Sequence, residues 1–272
     1  MSFADGELAR RLEGVESWAA AESGRARRRL WPDRDTAVVE VAGGAVCYLG
    51  EGSPLNEARG MGMNGSVSVD EIEAAERVFF DRAESARFNV ASLADPSMLE
   101  GLAVRGYRAT GFENVLYREL KGSEAAQSAQ TPPGIAVGEV EPEEVEACGN
   151  LLARGFVAPE EPTSGMGDIF TMARAVGGMV GLMAKVDGEP AGAGCVLIRD
   201  GMAMLCIAAT LPEFRNRGVQ TALFHARLAL AHQAGCSLAT IGTLPGTTSQ
   251  RNAERLGFRI AYTKLILVRD RP

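Results

Sequence analysis

Arg215-Asn216-Arg217-Gly218-Val219-Gln220 stands between an apolar run, Met202–Thr210, and an apolar-periodic run over 221–234. The order reads as strand, basic glycine-containing loop, helix. Such a loop can aim several backbone N–H groups at one point, and the helix N-terminus adds partial positive charge there. Gly218 lets the backbone approach an anion because no Cβ intervenes. Arg215 and Arg217 can add charge-assisted hydrogen bonds. The stretch therefore predicts a phosphate or pyrophosphate site.

Upstream of this loop, Asp187-Gly188 separates apolar runs at 180–186 and 189–198, and Asp200-Gly201 precedes another at 202–209. Each Asp-Gly pair is a two-residue hairpin signal, so three antiparallel strands lead into the loop. Before them, 134–140 reads as a strand, Pro142-Glu143-Glu144 opens a helix, 158–168 reads as a loop, and a helix follows from about Asp168. Downstream, 237–243 reads as a strand and 249–256 as a short helix closed by Gly257, with Phe258 starting the last strands.

The N-terminal half repeats this order in shortened form. It has a helix near 8–21, a hairpin at Gly43-Gly44, and a capping box, Ser68 with Glu71, opening a helix to about Arg82. A strand at 88–92, a helix at 97–105 and a final strand follow. Gly106-Tyr107-Arg108 and Gly257-Phe258-Arg259 lead into similar runs ending at Arg118 and Arg269, at a constant offset. That constancy predicts a domain duplication. Where the second half has its basic loop, the first has Met63-Asn64-Gly65-Ser66 without an arginine fork, so it is not expected to bind the same anion. A small, polar stretch ending in Pro132-Pro133 reads as a linker. The expected organisation is a first domain over 1–120, a linker over 121–133 and a second domain over 134–272. The expected class is α/β (α+β), two mixed-sheet domains with helices on both faces, the first abbreviated.

The chain has 272 residues and a net charge of -7, which argues against general nucleic-acid binding. No run of about 18 apolar residues occurs, so no membrane span is expected. The N-terminus, charged early, does not read as a signal peptide. Cys47, Cys148, Cys195, Cys206 and Cys236 are widely spaced without a C-x-x-C pair, which points to a reducing, cytoplasmic setting and away from zinc. His225 and His232 lie two turns apart on one helix without nearby acids, so no metal site is expected.

On Pro212 to Gln220, on Asn252-Ala253-Glu254-Arg255-Leu256-Gly257-Phe258 and on the order of elements, the C-terminal half resembles the GNAT superfamily of acyl-CoA-dependent N-acyltransferases. The whole chain resembles tandem GNAT proteins whose first half is a degenerate scaffold. The family loop reads Gln/Arg-x-x-Gly-x-Gly/Ala. Arg215 and Gly218 match it, whereas Gln220 puts a longer side chain where a small one is usual.

The resemblance implies acetyl-CoA (coenzyme A) as cofactor. Ala208, Ala209 and Thr210 would pair their backbone with the pantetheine arm, in a gap between their strand and the strand at 238–243. Arg215, Arg217 and the amides of Gly218, Val219, Gln220 and Thr221 would hold the pyrophosphate, and Asn252 would touch the cofactor or cap a turn. A backbone amide in the gap would polarise the thioester. Many members place a Tyr where this chain has Ala253, which leaves Tyr262 as the candidate proton donor. No acid lies on 202–210 to act as base; Glu160, Glu161 and Asp168 are candidates for binding an amine. The activity implied is acetyl transfer to a primary amine, either a small molecule or a protein N-terminus or lysine, with a homodimer as an open assembly. The alternative is a non-catalytic CoA-binding or regulatory module.

Overall fold

Asp187 and Gly188 adopt φ 52° and 90°, and Asp200 and Gly201 adopt 48° and 72°. These are the left-handed pairs of type I′ turns, which match the twist of the strands they join. The hairpins therefore form where the dipeptides place them, in a computed structural model that describes residues 4–120, 132–156 and 166–271. In chain order the first elements are α1 (Gly6–Leu30), β1 (Ala37–Val41), β2 (Gly44–Tyr48), β3 (Glu57–Arg59), α2 (Val69–Phe80), β4 (Ala86–Ala91), α3 (Pro96–Val104) and β5 (Arg108–Glu119). Then come β6 (Ile135–Glu139), α4 (Val145–Phe156), α5 (Met166–Arg174), β7 (Met179–Val186), β8 (Glu189–Arg199) and β9 (Met202–Thr210). The last are α6 (Val219–Gln233), β10 (Leu238–Thr243), α7 (Thr248–Arg255) and β11 (Arg259–Arg269). The mixed α/β class is the one expected.

Two compact units divide the chain: Met1–Leu116 with Gly242–Pro272, and Tyr117–Ile241. This differs from the boundaries read in the sequence, because the C-terminal segment clusters with the first unit. Most of the expected linker, 121–131, lies outside the described residues. β11 supplies the physical reason for the difference, since it pairs antiparallel with β4 from Lys264↔Ala91 to Arg269↔Ala86.

In the first unit the strand order is β1-β2-β3-β4-β11-β5, with β3 and β4 parallel. One sheet face is apolar. Ile72, Ala75, Val78 and Phe79 recur at helical spacing along α2 and pack against Phe88, Val90 and Leu267. In the second unit the order is β10-β9-β8-β7-β6, with β9 and β10 parallel and the rest antiparallel. Cys148, Leu152 and Phe170 from α4 and α5 meet Met183, Ala193 and Cys195 on one face. Val219 and Leu223 from α6 meet Leu182, Ala184 and Val186 on the other.

The duplication read from the sequence has a geometric counterpart. Gly106 donates to Ala103 O at 3.1 Å and Tyr107 to Leu102 O at 3.2 Å; Gly257 donates to Glu254 O at 2.9 Å and Phe258 to Ala253 O at 3.1 Å. Both glycines are left-handed, φ 80° and 83°, and each closes a helix that leads into a strand. The expected hairpin at Gly43-Gly44 turns one residue earlier, at Ala42 (φ 50°) and Gly43 (φ 76°). Gly44 is already strand, and a Cβ there would stand 2.2 Å from Arg59 O. The first helix runs on to Leu30, and β3 was not foreseen.

Candidate functional site

β9 and β10 pair only through Leu238↔Met202, Ala239↔Ala203 and Thr240↔Met204. Beyond these three pairs the ladder stops, a gap in the pairing that leaves Leu205–Thr210 without a β10 partner. Further along β9 lies a β-bulge. Against β8 the register moves from Ala193↔Ala209 to Cys195↔Cys206, so Ile207 and Ala208 together face Gly194. Ile207 takes φ 46°, a costly conformation for a β-branched residue. A bulge bends its strand and frees backbone groups from the ladder. In this gap Ala208 is half-buried, whereas Ala209 and Thr210 are buried.

The chain leaves β9 through a single 3-10 turn, Pro212–Phe214, then through Asn216 at φ 62°, and enters α6 at Gly218, φ 89°. Gly218 is the N-cap, and no side chain caps the helix. The first turn contains no acid. The amides of Val219, Gln220 and Thr221 therefore have no acceptor within their helix, and the helix dipole makes this end positive. A Cβ on Gly218 would lie 2.9 Å from Pro132 Cγ, and the left-handed φ would strain it further. Two polar atoms near this end are withdrawn from solvent without a hydrogen-bond partner, Thr210 Oγ1 and Gln220 Oε1. Buried polar groups are normally satisfied, so these orphans fit a ligand that brings its own donors into the gap.

The arginines serve the loop differently from the expected fork. Arg215 donates to Thr210 O (3.4 Å) and Gly155 O (3.2 Å), tying the loop to the ends of β9 and α4. Arg217 stacks over Phe214 at 5.3 Å and pairs with Asp187 at 3.5 Å. Both remain exposed, so their charge adds to the potential of the site without being aimed at one point.

The second unit thus brings together Ala208, Ala209 and Thr210 with the stretch Arg215 to Thr221. Asn252 lies on α7, in the first unit, half-buried. Tyr262 is also in the first unit, and its expected role as proton donor meets a different arrangement. Its hydroxyl is buried and donates to Glu13 Oε1 at 2.7 Å. Burial, and then the negative charge of Glu13, push the phenol far above its usual range, so it holds its proton. Asp168 sits half-buried on α5, while Glu160 and Glu161 lie outside the described residues. Glu213 is exposed and paired with Arg154 at 2.9 Å. Cys206 rests its Sγ 3.9 Å from Met179 Sδ, a packing contact. Among the described residues no group of three or more His, Cys, Asp or Glu is placed to hold a metal ion, and no helix is long and apolar enough to cross a membrane.

Two features escaped the sequence reading. Arg227 is fully buried on α6, in line with Val219 and Leu223 on the inner face of the helix. The second is a charged layer between α1 and the first unit's sheet. Lys264, fully buried, bonds Glu13 at 2.8 Å and also Glu16. Arg59 pairs with Glu57, with Glu16 at 2.8 Å and with Glu113 at 3.4 Å. Asn89 donates to Glu57. Burial would raise the Glu16 carboxyl, but Lys264 and Arg59 outweigh it and hold the group below its usual range. Burial, helped by the charge of Glu16, raises Glu113. The available signal was alternation: Glu57 and Arg59, then Tyr262 and Lys264, each fall on one strand face, and Glu13 and Glu16 share one side of α1.

Comparison with known proteins fits this geometry. Residues 146–258 match the profile of the acetyltransferase (GNAT) family. No curated protein matches the chain by sequence. Among solved structures, a GCN5-related N-acetyltransferase from Kribbella flavida is similar at TM-score 0.62 and 18% identity, covering 92% of this chain and 95% of its own. A tandem GNAT protein from the clavulanic acid biosynthesis pathway aligns at 0.60 and 15%, over 91% and 87%. A functionally unknown conserved protein from Staphylococcus epidermidis aligns at 0.60 and 13%, over 90% and 97%. At these identities the likeness is one of fold.

Proposed function

We propose, from the match of residues 146–258 to the acetyltransferase (GNAT) family, that this protein is an N-acetyltransferase whose second unit binds acetyl-CoA and acetylates a primary amine. The observation that carries the reading is the gap between β9 and β10, ending at an uncapped, positive helix N-terminus. The amides of Val219, Gln220 and Thr221 face the pyrophosphate, and Gly218 keeps the approach free of a Cβ. The freed backbone of Ala208, Ala209 and Thr210 orients the pantetheine arm, and Thr210 Oγ1 gains the partner it lacks. The bound thioester supplies an activated acetyl group. Gln220, half-buried, leaves the backbone donors in place because they belong to the main chain. The acceptor is a small-molecule amine or a protein N-terminus or lysine. Five free cysteines favour a reducing compartment, the cytoplasm.

Gly218→Glu tests the site, since it adds a strained Cβ and a negative charge where the phosphates lie. Calorimetry should show acetyl-CoA affinity falling by about 100-fold or more, equivalent to about 2.8 kcal/mol, with the melting temperature nearly kept. Unchanged affinity would falsify the site. A second reading, a CoA-binding module without catalysis, is favoured by one observation: Tyr262 is committed to Glu13 and β9 carries no acid. Thiol release from acetyl-CoA that depends on an added amine separates the two readings.

A further inference from the structure

Among the described residues of the second unit, no acidic side chain pairs with Arg227. Its Nε donates to Leu223 O at 3.0 Å and its Nη1 to Cys195 O at 3.4 Å, while Nη2 is buried without a partner. The guanidinium lies 4.9 Å over the Phe224 ring. The titratable groups that act on it are the thiols of Cys206 on β9 and Cys195 on β8. On its own helix His225 is the neighbouring titratable residue. β7 turns Leu182, Ala184 and Val186 toward α6, and β6 turns Ile135 and Val137, none of them ionisable. Burial pulls the guanidinium down to about 10, which leaves it charged at neutral pH. An unpaired buried ion carries a desolvation cost that a leucine or methionine in the same place would not. A group held at such cost beside a candidate ligand gap invites a functional explanation.

Its position supplies one. A Cβ on Gly194 would stand 3.3 Å from both Cζ and Nη1 of Arg227 and 3.0 Å from Ala208 Cβ. The guanidinium therefore lies close to Gly194 and to Ala208 of the bulge, beside the unpaired end of β9, and a side chain larger than Gly at 194 would crowd it. We propose that Arg227 is an electrostatic positioning residue: from beside the β9 bulge it stabilises negative charge on the coenzyme A sulfur in the gap, standing in for a proton donor. This rests on the acetyl-CoA reading of that gap. In the transfer, the amine lone pair forms the C–N bond to the acetyl carbonyl carbon. The C–S bond breaks with its electron pair on sulfur. The proton lost by nitrogen passes to solvent, from which the thiolate is later protonated. The same positive field favours the neutral, attacking form of the amine over its ammonium.

The test measures the ionisation of bound CoA and needs neither the acceptor nor turnover. Ultraviolet thiolate absorbance is titrated for the CoA complex against the acetyl-CoA complex, which cancels the protein's own thiols. The wild-type complex should show a CoA thiol at least about one pH unit below that of free CoA, the scale of an opposite charge in a desolvated site. Arg227→Gln keeps a donor for the Leu223 and Cys195 carbonyls without the charge, and Arg227→Met keeps only packing. Both should return the thiol to near its free value, while Arg227→Lys holds it low. Calorimetric CoA affinity shows that each variant compared is folded and loaded. A free-like thiol in the wild type, or an equally lowered one in Arg227→Gln, overturns the proposal and leaves Arg227 as a plug for the bulge. If the wild type does not bind CoA at all, calorimetry shows it before any titration, and the acetyl-CoA reading falls together with this inference.

Discussion

Lys264→Met takes the ammonium from between Glu13 and Glu16 in the first unit. Lys264 and Glu13 have side chains 0% and 1% exposed, and Glu16 7%, so the two carboxylates cannot turn to water for compensation. Removing one partner of a buried ion pair costs about 3–5 kcal/mol. Two features set the expectation within that range. Lys264 serves two carboxylates, and Glu13 Oε2 already lacks a partner, which raises the cost. Arg59 stays on Glu16 and Tyr262 stays on Glu13, which limits it. We expect a loss of about 4 kcal/mol near pH 7.5.

The readout is specific to this unit because both tryptophans of the chain, Trp18 and Trp31, lie on α1 or at its C-cap. With a urea slope of about 2 kcal/mol/M, the fluorescence midpoint should fall by roughly 2 M. The penalty should shrink as pH falls toward 5, because one of the stranded carboxyls then takes a proton and the buried charge disappears. Glu16→Gln in the same chain should recover part of the loss, a coupling that a double-mutant cycle isolates. A midpoint within about 0.5 M of wild type, or a penalty independent of pH, would refute the view that this layer is a closed ion network.

Tyr262→Phe should lower the same midpoint by an amount equivalent to about 1–2 kcal/mol, since Glu13 loses a buried donor, and should leave amine-dependent thiol release within about twofold. A large loss of turnover with unchanged stability would return Tyr262 to the chemistry. On acidification, the wild-type tryptophan signal should report loss of the first unit below the usual carboxyl value. Glu16 is held below that value of 4.5, so its stabilisation is complete above it and disappears as pH falls through the lowered folded pKa. Glu113 acts in the opposite sense: its raised folded pKa makes its ionisation a cost, which lowering the pH toward 4.5 relieves. An acid transition in the second unit before the first would count against this assignment.

What the sequence made legible was local. The Asp-Gly turns, the Ser68–Glu71 capping box and the helix-closing Gly106 and Gly257 are each encoded within a few residues, and each occurs as the local chemistry requires. The left-handed Gly218 that opens α6 belongs to this group, because its conformation is set by its immediate neighbours. The remainder depends on distant partners. β3 has three residues, too few to show a period. Lys264 alternates with Thr263 and Leu265 as a half-exposed strand residue would, and only the pairing of β11 with β4 beneath α1 buries it. The bulge at Ile207 has no glycine or proline on its own strand to announce it; the glycine it faces, Gly194, is on the neighbouring strand. Arg227 itself looks like an ordinary helix residue until the inner face of α6 is known.

The two strand–loop–helix passages differ in a way that favours the second unit for the proposed anion site. In both, a strand parallel to its neighbour runs into a helix: β3 into α2, and β9 into α6. At α2, Ser68 Oγ accepts from Glu71 N at 3.3 Å and Glu71 Oε2 accepts from Ser68 N at 2.8 Å, a complete capping box. Asp70 and Glu71 place negative charge in that first turn. The Ser68 hydrogen bonds hold the Glu71 carboxyl below its usual value, so it stays ionised at neutral pH. Two amides at this end, those of Ser68 and Glu71, are thus engaged by side chains of the same turn, and the dipole is opposed by two acids, which would repel a pyrophosphate. α6 begins with a bare, left-handed glycine, no capping side chain and no acid. With glycine at the N-cap, the missing side-chain cap costs only about a few tenths of a kcal/mol. A bound anion at α6 would accept from first-turn amides that include Thr221, which holds the place of Glu71 at α2, so the difference between the halves rests on whether the helix supplies its own anion or waits for one.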